Sequence, residues 1–225
     1  MIASSTASLA GEGIPEVAGA RARLRGKRAL DLALAVPGLV VLAPLLALVA
    51  IAVRLDSPGP ALFVQERLGQ GGRRFRMLKF RTMRVGASEL RRDDGTVVTV
   101  RDDARVTRLG RWLRRSSIDE LPQLINVVLG QMSLVGPRPE LPDGLGAYSP
   151  AHLVRLAVPP GITGWAQIQG RNLIPLQQRR DLDCWYATRA GVRLDLHILV
   201  RTVGTVVTGR GVTVPAGRTP PPTDA

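Results

Sequence analysis

The 22 residues from Leu32 to Val53 contain no charged side chain, and no other stretch limits the possible folds so strongly. As a helix they would reach about 33 Å, enough to cross a bilayer core of roughly 30 Å. A single-pass helix is therefore the simplest reading. Two features argue for another path. Arg21, Arg23, Arg25, Lys27 and Arg28 precede the segment, and Arg54, Arg67, Arg73, Arg74, Arg76, Lys79, Arg81 and Arg84 follow it. Basic flanks stay on the cytoplasmic side, so both ends are expected on one face. Pro37-Gly38 and Pro44 also lie inside the segment, where each proline removes a backbone hydrogen bond and bends a helix. Together these predict a re-entrant helix-break-helix, broken at Pro37 and Pro44, that enters one leaflet and returns. Asp31, four residues after Lys27, is expected to pair with it at the interface, because an isolated carboxylate deeper in lipid is costly.

The net charge of +13 accompanies a 45% hydrophobic composition, which suggests nucleic acid or an anionic membrane surface as partner. Aromatic residues make up only 4%, and no basic, aromatic-rich strand suits RNA recognition. Cys184 is the only cysteine, which excludes a disulfide framework and a cysteine-based zinc site. His152 and His197 are far apart, and no glycine-rich phosphate loop is present.

Periodicity and turn signals give an α+β, mostly helical protein with amphipathic interfacial helices and a few short strands. Residues 1–20 and the proline-rich 211–225 read as disordered tails, 21–56 as the membrane helix and 57–210 as a cytosolic, membrane-associated catalytic domain. Strands are expected over 61–65 and 75–83, the latter with most of its arginines solvated or facing lipid. A loop covers 89–103. Helices are expected over 105–115, 152–158, 176–186 and 194–208, with a strand or turn over 164–172.

Asp119-Glu120 opens a further helix. Asp119 suits an N-cap with Pro122 in the first turn, and Ser117 with Glu120 equally suits a capping box. Arg105, Arg108, Arg111, Arg114 and Arg115 lie just upstream. Adjacent carboxylates beside arginines could divide into an ionised nucleophile and a metal holder. Taken alone, the motif is accounted for by capping and ordinary ion pairs. Downstream, Pro137 and Pro139 lock the backbone on either side of Arg138, a costly way to hold one guanidinium unless its placement matters.

Six motifs occur in order: Lys27-Arg28-Ala29-Leu30-Asp31, Gln65-Glu66-Arg67-Leu68-Gly69, Lys79-Phe80-Arg81-Thr82-Met83, Asp119-Glu120-Leu121-Pro122-Gln123, Gly136-Pro137-Arg138-Pro139 and Pro160-Gly161-Ile162-Thr163-Gly164-Trp165. Across about residues 25 to 210 this pattern resembles the bacterial sugar transferase family, the monotopic phosphoglycosyl transferases, in its minimal catalytic form. The resemblance implies transfer of a sugar-1-phosphate from a nucleotide-diphospho-sugar, usually a UDP-sugar, to polyprenyl (undecaprenyl) phosphate. Asp119 would carry the covalent phosphosugar, and Glu120 would hold Mg2+. Arg114, Arg138 and Lys79 would bind phosphate, and Gln167, Arg171 and Asn172 are candidates for nucleotide or sugar contact. The implied place is the cytoplasmic face of the bacterial inner membrane, among anionic lipids, with a membrane-interface helix available for a homodimer and no role for nucleic acid. The product would start an exopolysaccharide, capsule or glycoconjugate. One departure stands out: Ala43 precedes Pro44 where the family usually has serine. The competing readings are a membrane-anchored nucleic-acid-binding protein and a non-catalytic scaffold.

Overall fold

The computed structural model describes residues 14–15, 20–87, 103–170 and 174–208. The expected tails (residues 14, 15 and 20 apart), the 89–103 loop (Asp103 apart), Arg171 and Asn172 lie outside the described residues. Among the described residues the fold is mostly helical with four short strands.

Helix α1 (Ala20–Asp56) runs as one helix rather than the expected helix-break-helix, with both Pro37 and Pro44 inside it. Among the described residues it is the one helix long and apolar enough to cross a membrane. One side is bare: Val40, Val41, Leu48 and Leu55 are 65–82% exposed. The other side packs onto the rest of the protein along its length. Ala35 is fully buried in a cluster with Phe75, Met77, Leu124, Val127 and Met132, and Val49 and Val53 pack with Phe80 and Leu113.

Both ends of α1 are fastened by polar groups. Lys27 is 1% exposed, and its ammonium donates to Asp195 Oδ2 at 2.6 Å, Val135 O at 2.7 Å, Ser133 Oγ at 2.8 Å and Tyr186 Oη at 3.1 Å. Asp31 does not pair with Lys27 as expected. It is buried in protein, accepting from Ser133 Oγ and the Leu134 amide. Those two donors satisfy it without an ion pair. At the far end Arg81, expected to be solvated, is 6% exposed and donates to the carbonyls of Val53, Ser57, Pro58 and Gly59. The last carbonyls of a helix lack intrahelical donors, and an arginine fork supplies them.

Strands β1 (Leu62–Leu68) and β2 (Arg74–Phe80) form an antiparallel hairpin in which Gln65 faces Met77 and Arg67 faces Phe75. Alternation places Phe75 and Met77 in the core, as a half-buried strand requires. Helix α2 (Arg108–Ser116) is capped by Thr107, whose hydroxyl accepts from the Gly110 amide at 2.9 Å. A 3-10 turn (Ile118–Glu120) then leads into α3 (Gln123–Val128). Asp119 is therefore not the N-cap. Ser117 adopts φ 58° and makes no side-chain cap, so neither expected capping arrangement forms.

Strands β3 (Ser133–Val135) and β4 (Gly161–Thr163) pair in parallel. They join so closely that a Cβ on Gly136 would lie 2.4 Å from Pro159 O, and one on Gly161 would lie 2.0 Å from Gly136 N. The short helix expected over 152–158 is a 3-10 helix over Pro150–Ala157. The strand or turn expected over 164–172 is instead helix α4 (Trp165–Gln169), with Gly164 and Gly170 at its ends. Helices α5 (Leu176–Arg189) and α6 (Val192–Thr208) complete a second core of Val135, Val158, Tyr186, Ala187, Ala190 and Ile198.

Candidate active site

Three segments meet at the 3-10 turn: β2 brings Lys79, the turn brings Asp119 and Glu120, and the loop after β3 brings Arg138. Glu120 is engaged. Its Oε1 accepts from Lys79 Nζ and from Arg138 Nη2, both at 3.0 Å. Asp119 is 9% exposed and has no hydrogen bond or ion pair among the described residues. Arg114 makes no hydrogen bond or ion pair to Asp119. Its Nε donates to Thr82 Oγ1 at 2.8 Å, and its charge reaches Asp119 only through space.

This asymmetry pushes the two carboxylates apart. Burial raises the Asp119 carboxyl to about 6, Glu120's negative charge adds to the rise, and Lys79, Arg114 and Arg138 oppose it. Glu120 is also buried, yet the positive charges of Arg138 and Lys79 outweigh that cost and hold it well below the usual carboxylate range. Burial in turn lowers Lys79. Neighbouring acids held in unlike environments can take unlike roles.

The loop carrying Arg138 is clamped at four successive carbonyls. Pro137 O accepts from the Gly161 amide at 2.9 Å, Arg138 O from Arg155 Nη2 at 2.9 Å, Pro139 O from Arg67 Nη1 at 3.2 Å and Glu140 O from the Leu68 amide at 2.9 Å. Behind the loop Arg155, 3% exposed, lies between Glu140 (2.9 Å) and Asp183 (2.5 Å) and donates to Tyr148 Oη. Arg180 reaches Glu140 Oε2 at 3.2 Å. The Pro-Arg-Pro motif was legible in the sequence, but the clamp was not, because its residues come from β1, the 150–157 turn and β4.

No group of three or more His, Cys, Asp or Glu converges among the described residues, so no closed metal cage is available there. The donors fit Mg2+ in another way. Lys79 and Arg138 both bond to Glu120 Oε1, which leaves Oε2 with no hydrogen bond among the described residues. Mg2+ typically takes one or two carboxylates and completes its shell from substrate phosphates and water.

Of the remaining expected residues, Gln167 serves its own segment, donating through Nε2 to Ile162 O at 3.0 Å. The sequence reading missed Gln123 and Asn126. A signal was present: both continue a polar row from Glu120 at three-residue spacing through an otherwise apolar helix.

The bacterial sugar transferase family model matches residues 22–209. The chain is 42% identical over 186 residues to the uncharacterized sugar transferase EpsL of Bacillus subtilis, covering 83% of this chain and 89% of that one. It is 45% identical over 192 residues to a UDP-glucose:undecaprenyl-phosphate glucose-1-phosphate transferase of Caulobacter vibrioides, covering 81% and 70%. An undecaprenyl-phosphate glucose phosphotransferase of Komagataeibacter xylinus is 48% identical over 188 residues, covering 79% of this chain but only 35% of that longer protein.

Proposed function

The chain belongs to the bacterial sugar transferase family, and on that premise we propose that it transfers a sugar-1-phosphate from a UDP-sugar to undecaprenyl phosphate, with Asp119 as nucleophile. The product would begin an exopolysaccharide or capsule chain. The observation that carries the reading is the unlike pair: a buried Asp119 with no hydrogen bond or ion pair among the described residues, beside a Glu120 occupied by two cations. An Asp119 oxygen attacks the phosphorus that bears the sugar, the bond from that phosphorus to the bridging oxygen breaks, and uridine monophosphate leaves. An oxygen of undecaprenyl phosphate then attacks the same phosphorus and releases Asp119.

Lys79 and Arg138 screen the charge that otherwise repels a carboxylate from a diphosphate, and Arg114 adds to the field from its seat on Thr82. Arg138 offers a planar fork suited to a phosphoryl group. Mg2+ bound through Glu120 would neutralise diphosphate charge. Glucose is the first sugar to test, since the Caulobacter relative is named for it.

What supports a one-leaflet path for α1 is that a single body grips both of its ends. Lys27 and Asp31 hold one end and Arg81 holds the other, about 33 Å apart if the helix were straight. A helix crossing the bilayer would require the same charged body to reach both faces. The site would then lie on the cytoplasmic face, where the acceptor's phosphate sits among the headgroups.

The test is incubation of the purified full-length protein with UDP-glucose, Mg2+ and undecaprenyl phosphate. Release of uridine monophosphate is expected, with none from Asp119→Asn. Omitting the acceptor should trap a phosphosugar on Asp119, visible by mass spectrometry. An adduct on another side chain, or full turnover by Asp119→Asn, would overturn the assignment.

A further inference from the structure

Glu120, Gln123 and Asn126 form a row along α3 and the turn before it, facing strand β2. Asn126 is 1% exposed, and the fold uses its whole amide: Oδ1 accepts from the Leu78 amide at 3.0 Å, while Nδ2 donates to Arg76 O at 2.8 Å and to Gln131 Oε1 at 2.6 Å. Gln123, one turn earlier and 2% exposed, makes no side-chain hydrogen bond to any described residue. It lines a small cleft with Arg67, Met77, Lys79, Arg138 and Pro139. An amide that makes no hydrogen bond to the described fold, on the wall of a cleft, adds nothing to that fold that a methionine of similar length would not. The fold therefore retains a group it does not itself use, on the wall of the cleft between its two site cations.

We infer that Gln123 is a substrate-contacting residue whose amide N–H2 donates to a phosphoryl oxygen of the sugar-phosphate group carried to and from Asp119. The inference rests on the reading of Asp119 as the nucleophile. Lys79 and Arg138 supply charge, and Lys79 presents a mobile point donor. Gln123 adds a neutral donor with a fixed direction and no charge repulsion toward either cation. A phosphoryl oxygen accepts hydrogen bonds and donates none, which matches the N–H2 end of the amide. The contact is available in both half-reactions, because the same phosphoryl group occupies the cleft in each.

Gln123→Met keeps the length and removes the hydrogen bond, and Gln123→Glu keeps the shape and replaces the donor with a negative charge. For Gln123→Met the melting temperature should stay at or above the wild-type value. Turnover with UDP-glucose and undecaprenyl phosphate should fall by about 10- to 100-fold, the range for one hydrogen bond to a charged group. The first half-reaction, read as uridine monophosphate released without acceptor, should slow by a similar factor. Gln123→Glu should be slower still. Turnover of Gln123→Met within twofold of wild type would overturn the inference, as would activity in Gln123→Glu close to wild type. So would a drop of more than about 5 °C in the melting temperature of Gln123→Met, which would show that the fold depends on the amide. A wild-type protein that releases no nucleotide would instead remove the transferase reading itself.

Discussion

Asp119 and Glu120 are neighbours in the chain but not in circumstance, and the difference should be measurable without substrate. The Asp119 carboxyl is raised from 3.8 to about 6, so the folded state holds this proton more tightly than the unfolded chain. Protonated Asp119 therefore favours folding at low pH, and that contribution is lost as pH rises from about 4 to 6. The shift amounts to roughly 3 kcal/mol. In metal-free buffer at pH 7, Asp119→Asn should be more stable than wild type by up to that amount, and the advantage should vanish near pH 4. Denaturant melts at the two pH values check it. Asp119, Glu120, Lys79 and Arg138 were legible in the sequence because each lies in a compact motif. Gln123 lay inside such a motif too, yet its burial, with no side-chain hydrogen bond among the described residues, depends on β2 packing across α3, which spacing alone does not reveal.

Among the elements, the loop Pro137–Glu140 depends on Arg155 behind it. Arg155→Met would leave the buried Asp183 without its cation and Glu140 with Arg180 alone, and losing one partner of a buried pair costs about 3–5 kcal/mol. It would also release the Arg138 carbonyl. The expected result is a lower unfolding midpoint in urea together with weaker UDP-glucose binding, and partial recovery of both in Arg155→Lys. Helix α1 allows a separate test. In a Cys184→Ser background, cysteines at Arg25 and Asp56, both exposed, should escape a membrane-impermeant maleimide in intact cells, and both should react in inverted vesicles. Labelling of one position from each side would identify a crossing helix. Long elements such as α1, β2 and α6 declared themselves through composition and period. The parallel pair β3–β4 did not, since strands of three residues are too short to show alternation. Helix α4 was misread because glycines at both ends resemble the edges of a turn.

Across the whole molecule the apolar helix is an internal wall as much as an anchor. Ala35 is sealed against β2 and α3, and Arg28 donates to the carbonyls of Val127 and Val128 at the end of the helix that carries Gln123. The expected layout, a membrane helix over 21–56 and a membrane-associated catalytic domain over 57–210, carried no reading of which side of the helix faces protein. Periodicity reports that a face is apolar, but not whether lipid or protein covers it. Removal of residues 1–56 would expose Phe75, Met77 and Val127 and strip Asp195 of Lys27. The truncated chain should aggregate or show no cooperative thermal transition by circular dichroism.

Lys27 buried at one end of α1 and Arg81 gripping the other make excision the wrong route to a water-soluble enzyme. Repainting is the workable one: polar residues at Val40, Val41 and Leu48 alter only the bare side and leave every internal fastening in place. Such a variant should stay monodisperse without detergent and, on the proposed reaction, still form the Asp119 adduct from UDP-glucose. It would lose speed only toward an acceptor that must be drawn from a bilayer.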